Sequence, residues 1–185
     1  MRARWIVLCV AAVAVLAAMS TLAIGLSRGR NRSEWRATCT VPTLDGSVVN
    51  VTLSNMGGPM MNGPMRGGGV VQGGMMRLQV APATVPAGRV SFVATNVGSV
   101  NHEFVILPLP AGQIVGTRQV GGDGTVDEGG SLGEASNTCG SGVGEGIAPT
   151  SSSWVTVTLP RGRYELVCNL PGHYAAGMYA QLTVE

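Results

Sequence analysis

Arg163-Tyr-Glu-Leu-Val-Cys168-Asn-Leu-Pro-Gly-His173-Tyr-Ala-Ala-Gly-Met178-Tyr-Ala-Gln-Leu-Thr-Val-Glu185 closes the chain, and its reading decides the fold. Both arms read as strands, over Arg163 to Cys168 and Met178 to Val184, because apolar residues recur every second position. In the first arm Tyr164, Leu166 and Cys168 share a face. Pro171-Gly172 tightens the connection just before His173. A cysteine ending one strand, a histidine in the turn and a methionine opening the next strand are thereby aimed at one point.

Upstream, Asn101-His102-Glu103-Phe104 begins a further strand that runs from His102 to Leu107. If His102 points inward, so do Phe104 and Ile106, while Glu103 and Glu165 fall on the opposite faces. The parity of the ligand-type residues therefore agrees with the parity of the apolar ones. Three of these residues, His102, Cys168 and His173, are strong metal ligands, and the chain's only two histidines are both among them. Two imidazoles, one thiolate and one thioether suit a mononuclear copper centre: the trigonal nitrogen and sulfur donors serve both oxidation states, and a weak axial methionine favours Cu(I). Structural zinc takes four thiolate or imidazole ligands and has little use for the methionine. We therefore expect one copper ion held by His102, Cys168, His173 and Met178.

Working outward, strands are expected at Val48 to Leu53, Arg77 to Val80, Arg89 to Thr95 and Trp154 to Leu159, separated by glycine- and proline-bearing turns. No amphipathic helix is evident. Seven or so strands of this kind predict an all-β sandwich. Two segments resist the pattern: a glycine- and methionine-rich loop over 55–76 and a long Gly/Ser-rich loop over 110–152. Loops of that length inside a compact domain are usually functional or disordered.

The N-terminal 1–35 segment is a different object. Trp5 to Leu26 is almost unbroken apolar sequence, preceded by Arg2 and Arg4 and followed by Arg28, Arg30 and Arg32. It is long enough to cross a bilayer as a transmembrane helix and exceeds the usual signal-peptide apolar region. We expect an uncleaved single-pass anchor ahead of a domain over 36–185, with secretion after signal cleavage as the alternative. Cys9 lies within the run, and Cys168 is the proposed ligand. Cys39 and Cys139 remain, either as a disulfide, which an export-type N-terminus favours, or as two buried thiols. A disulfide would put the domain outside the cytoplasm and so orient the anchor.

Composition narrows function further. A formal charge of +2, from 12 basic and 10 acidic residues, gives no footing for nucleic-acid binding. With both histidines engaged, no second copper cluster can form within the chain, and no open position or acid–base group is left for substrate chemistry. The expected activity is therefore transfer of single electrons rather than catalysis. A second reading, extracytoplasmic copper handling, rests on the soft thioethers of Met56, Met60, Met61, Met65, Met75 and Met76, which favour Cu(I). Against it stands adaptable apolar filler in a low-complexity loop.

At the Cys-x4-His-x4-Met loop and the Asn-His-Glu-Phe strand the sequence resembles the cupredoxins, most closely their sulfocyanin/rusticyanin-like branch. The resemblance covers Val48 to Glu185 in outline. It implies a Greek-key β-sandwich with a type 1 blue-copper ion bound by His102, Cys168, His173 and Met178. It also implies that the C-terminal histidine reaches the surface within an apolar collar. Here that collar would be Leu170, Pro171, Ala175, Ala176 and Gly177, on which redox proteins of a respiratory chain would dock at the outer face of the membrane. Glu103 departs from plastocyanin- and azurin-type proteins, which often place at this position an asparagine that braces the ligand loop.

Overall fold

A computed structural model of the chain describes residues 39–55 and 76–185, all within one compact unit, Thr38–Glu185. The apolar run Trp5 to Leu26 and most of the methionine-rich segment lie outside the described residues. Among the described residues no helix is long and apolar enough to cross a membrane.

Ten strands are present: β1 (Ser47–Asn55), β2 (Met76–Ala81), β3 (Thr84–Val85), β4 (Gly88–Asn96), β5 (Phe104–Pro108), β6 (Gly133–Asn137), β7 (Gly142–Gly146), β8 (Ser152–Leu159), β9 (Gly162–Val167) and β10 (Tyr179–Val184). They form a four-stranded sheet ordered β2-β1-β4-β8 and a six-stranded sheet ordered β3-β10-β9-β5-β6-β7. All seven expected strands are found, and the all-β sandwich holds. Parallel pairing of β1 with β4 and of β3 with β10 shows that the chain crosses between sheets rather than meandering within one.

Alternation builds the core. Val49, Val51 and Leu53 of β1 and Val90, Phe92 and Ala94 of β4 face Phe104 and Ile106 of β5, Tyr164 and Leu166 of β9 and Leu182 of β10, all buried. Phe92 and Phe104 bridge the sheets with ring centroids 5.1 Å apart. Burial of each large side chain stabilises the fold by about 1.5–3 kcal/mol.

The segment expected to be one long loop over 110–152 instead contains β6 and β7. Its strands escaped the period-two reading because they are nearly devoid of apolar side chains. Glycine is needed there for contact: a Cβ on Gly144 would lie 2.7 Å from the Cα of Asn137 and from the Ser136 carbonyl. The remainder of the segment covers the outer face of the six-stranded sheet. Val105 and Leu107 of β5 and Val167 of β9 pack there with Val126 and Tyr174 as a second buried cluster. Glu165 lies on this face, opposite Leu166 as parity requires, but is fully buried. Strand parity located the face; it could not reveal that the face is covered.

Cys39 and Cys139 form a disulfide that spans 100 residues of sequence. Closing so long a loop stabilises by roughly 4–5 kcal/mol in the chain-entropy model. The double variant C39A/C139A is expected to lose stability of that order in urea titrations, with its copper spectrum unchanged. A loss below about 1 kcal/mol would show that strain in the folded state offsets the entropic gain.

Candidate metal centre

β5 and β9 are antiparallel neighbours, with Val105 opposite Val167. That register sets His102, just before β5, beside Cys168, just after β9. His102 is fixed by a pair of backbone hydrogen bonds with Ile147, its N–H donating at 3.2 Å and its carbonyl accepting at 2.6 Å. Its approach is braced by Asn96, whose Nδ2 donates to the carbonyls of Val100 and Ile147, each at 2.7 Å.

The connection from Cys168 to Met178 folds on itself. The His173 N–H donates to the Leu170 carbonyl at 2.9 Å, the Met178 N–H to the His173 carbonyl at 3.1 Å, and the Cys168 N–H to the Met178 carbonyl at 3.0 Å. These bonds close the loop around one point. Cys168 Sγ lies 3.2 Å from His173 Nδ1 and 3.9 Å from His102 Nδ1, and the two Nδ1 atoms are 3.2 Å apart. Ligand atoms of His102, Cys168 and His173 all fall within 4.8 Å of one another, the one such cluster of three among the described residues. Met178 joins the same buried core group as Cys168. His102, Cys168 and Met178 are fully buried, whereas His173 is partly exposed.

Electrostatics prepare the site for a metal rather than for protons. Burial pulls His102 down to about 4, with the neighbouring His173 adding to the effect, and burial lowers His173 as well. Both rings are thus neutral and able to ligate at pH 7. Burial pushes the Cys168 thiol up to about 12, against the pull of backbone N–H groups of Glu103 and Leu170; the Glu103 N–H donates to Sγ at 3.3 Å. Binding through sulfur requires the thiolate, so the metal must displace that proton. Copper uptake by the copper-free protein at pH 7 is expected to release one proton per ion in an unbuffered titration. C168S should release none.

The loop is braced by residues the sequence did not single out. Asn169 captures Val126 with both ends of its amide: Oδ1 accepts from the Val126 N–H at 2.7 Å, and Nδ2 donates to the Val126 carbonyl at 2.9 Å and to Glu128 Oε1 at 2.6 Å. The Gly172 N–H donates to the Gly124 carbonyl at 2.9 Å. Gly124 has φ +82°, and a Cβ there would stand 3.0 Å from that same Gly172 nitrogen. Beneath the loop, Glu165 accepts from Arg118 Nε at 2.6 Å, the Tyr174 hydroxyl at 2.8 Å and the Gly116 N–H at 2.7 Å. The one available signal was an acidic residue inside an otherwise apolar strand. Glu103 also sits on this outer side, its carboxyl raised to about 7 by burial and then by Glu128 and Glu134. Of the collar residues, Pro171 and Ala175 are exposed and Ala176 and Gly177 intermediate. Leu170 packs in part against the core.

The donor set fits one type 1 copper ion: two neutral imidazoles and one buried sulfur converge, with a buried thioether at the end of the same loop. Solved structures similar to this chain include reduced auracyanin from the photosynthetic bacterium Roseiflexus castenholzii, at 18% identity and TM-score 0.45, covering 76% of this chain and 99% of that one. Auracyanin B is similar at 21% identity and TM-score 0.45, covering 78% and 93%. The copper protein rusticyanin is similar at 19% and TM-score 0.43, covering 76% and 80%. No curated protein matches the chain. The family model for the sulfocyanin (SoxE) domain matches residues 69–185, which contain every residue of the candidate centre. The chain belongs to the sulfocyanin family of cupredoxins.

Proposed function

We propose that the protein is a one-electron carrier whose copper ion is held by His102, Cys168, His173 and Met178. The observation that carries this reading is the convergence of two imidazoles and one thiol within 4.8 Å in a buried setting, with His173 alone of the four proposed ligands reaching the surface. Bound copper supplies a reversible one-electron couple. The protein's own contribution is to keep the donors fixed in both states and, by burying His102, Cys168 and Met178, to keep substrates away from the metal. It is not an enzyme in this reading. Voltammetry of the copper-loaded protein should give one reversible one-electron wave; an irreversible wave, or a copper-loaded protein without visible colour, would overturn the assignment.

Electrons enter and leave through His173, and redox proteins of a respiratory chain dock on the rim formed by Leu170, Pro171, Ala175 and Ala176. Weak redox encounters use small interfaces, often below about 1,200 Å² in total. Ala176→Glu is expected to slow self-exchange between Cu(I) and Cu(II) protein roughly tenfold at low salt, since like charges then face each other across the encounter. Added salt should restore much of the rate. An unchanged rate would place the encounter elsewhere.

The domain works outside the cytoplasm, tethered at the outer face of the cell membrane by Trp5 to Leu26. The Cys39–Cys139 disulfide supports this compartment, because such bonds persist in oxidising surroundings. Recovery of the chain in the salt-washed soluble fraction of lysed cells would exclude the tether.

A second reading, Cu(I) capture by the methionine-rich segment, is favoured by one observation. The described residues at either end of that segment, Asn55 and Met76, pair with each other at the copper end. The Met76 N–H donates to the Ala176 carbonyl at 3.4 Å. Changing the segment's methionines to leucine should lower Cu(I) stoichiometry if this reading holds; an unaltered stoichiometry ends it.

A further inference from the structure

His102 turns Nδ1 toward Cys168 and His173, so its other ring nitrogen, Nε2, lies on the far side of the ring from the candidate centre. Nε2 is buried and has no hydrogen-bond partner among the described residues. A metal bound through Nδ1 leaves the ring proton on Nε2, and a buried N–H without an acceptor is costly. Ligating histidines almost always donate that second N–H, which fixes the orientation of the ring.

Two residues meet at this nitrogen. A Cβ built on Gly98 would sit 3.0 Å from His102 Nε2 and 2.2 Å from Asn55 Oδ1. The bare backbone of Gly98 therefore leaves the Asn55 carboxamide standing beside the imidazole. Its orientation is set by Ser99: the Ser99 N–H donates to Oδ1 at 2.7 Å, and Nδ2 donates to Ser99 Oγ at 2.9 Å. This arrangement puts the oxygen, not the nitrogen, near His102. An amide oxygen accepts two hydrogen bonds, and only one is taken by Ser99.

Building on the copper reading above, we infer that Asn55 is a positioning residue for His102, its Oδ1 being the acceptor for the Nε2–H, and that position 98 is glycine because a side chain there would part the two. The two groups are not hydrogen-bonded in the structure as it stands; they close on each other once Nε2 carries the proton. Asn55 ends β1, so the brace links the first strand of one sheet to a ligand on the other.

The test uses the full chain loaded with Cu(I), which is diamagnetic, and reads the solvent exchange of the His102 Nε2–H by NMR together with the reduction potential. Asn55→Ala and Gly98→Ala should each accelerate exchange about tenfold, the scale of one lost hydrogen bond, and should move the potential in the same direction. Asn55→Asp keeps the acceptor and should restore slow exchange. Ser99→Ala loosens the same turn without removing Oδ1, and should stay near wild type. Wild-type exchange and potential in both Asn55→Ala and Gly98→Ala would overturn the inference. So would equal acceleration in Ser99→Ala, which would mark a general loosening of the turn. A wild-type protein lacking the thiolate-to-copper band would sink the carrier reading and this inference with it, whereas a normal band with unmoved variants sinks this inference alone.

Discussion

Cys168→Ser is expected to abolish the intense thiolate-to-copper absorption of the loaded protein completely, and to take the reversible one-electron wave with it. The sulfur is the only soft anionic donor at the centre; Ser offers a hydroxyl that stays protonated at neutral pH and has no comparable charge-transfer chemistry with Cu(II). The fold should survive, because the change is nearly isosteric. One cost is expected: the Glu103 N–H, 3.3 Å from Sγ, must find the shorter hydroxyl oxygen at this buried position. Circular dichroism separates the outcomes. A folded, colourless variant is the expected result; a folded variant that keeps the band would remove Cys168 from the centre and redirect the assignment to other donors.

Glu165→Ala should destabilise the copper-free protein by about 3–5 kcal/mol, the range seen when one member of a buried ion pair is removed. Glu165 is wholly buried, and its partner Arg118 keeps only 19% of its side chain exposed. Without the carboxylate, Arg118 retains the Pro108 carbonyl at 2.5 Å but loses its counter-charge, and the Gly116 N–H and the Tyr174 hydroxyl lose their acceptor. Arg118 would either be stranded or would pull out to solvent and lift the covering segment from β9. A double variant E165L/R118L should recover a large part of the loss, since a packed apolar pair often matches a buried ion pair. Urea titrations of the three proteins decide it. A single-variant loss below about 1 kcal/mol would mean that the network is a spectator to folding.

Residues legible from sequence are those whose role is local or periodic. β1, β4, β5, β8, β9 and β10 betray themselves by alternation, and Cys168, His173 and Met178 by their spacing in one turn. His102 joined them through parity and because the chain has no other histidine outside the loop. What stayed hidden depends on contacts far apart in sequence. Arg118 meets Glu165 across 47 residues, and Val126 meets Asn169 across 43. No local pattern announces either pairing. β6 and β7 were missed for a different reason, since glycine pairs through backbone alone and leaves no alternation to read.

The covering segment over the six-stranded sheet has a consequence for how metal leaves. β9 is flanked by β10 and β5, has the sandwich core beneath it and the Val126–Tyr174 layer above it. Strands enclosed on every side open only when the whole domain opens, so their local opening free energy approaches the global one. Separating Cys168 from His102 means parting β9 from β5. Release of copper through opening of the loop that carries His173 is thus expected to leave Cys168 and His102 in register, and that pair is expected to part only when the domain unfolds.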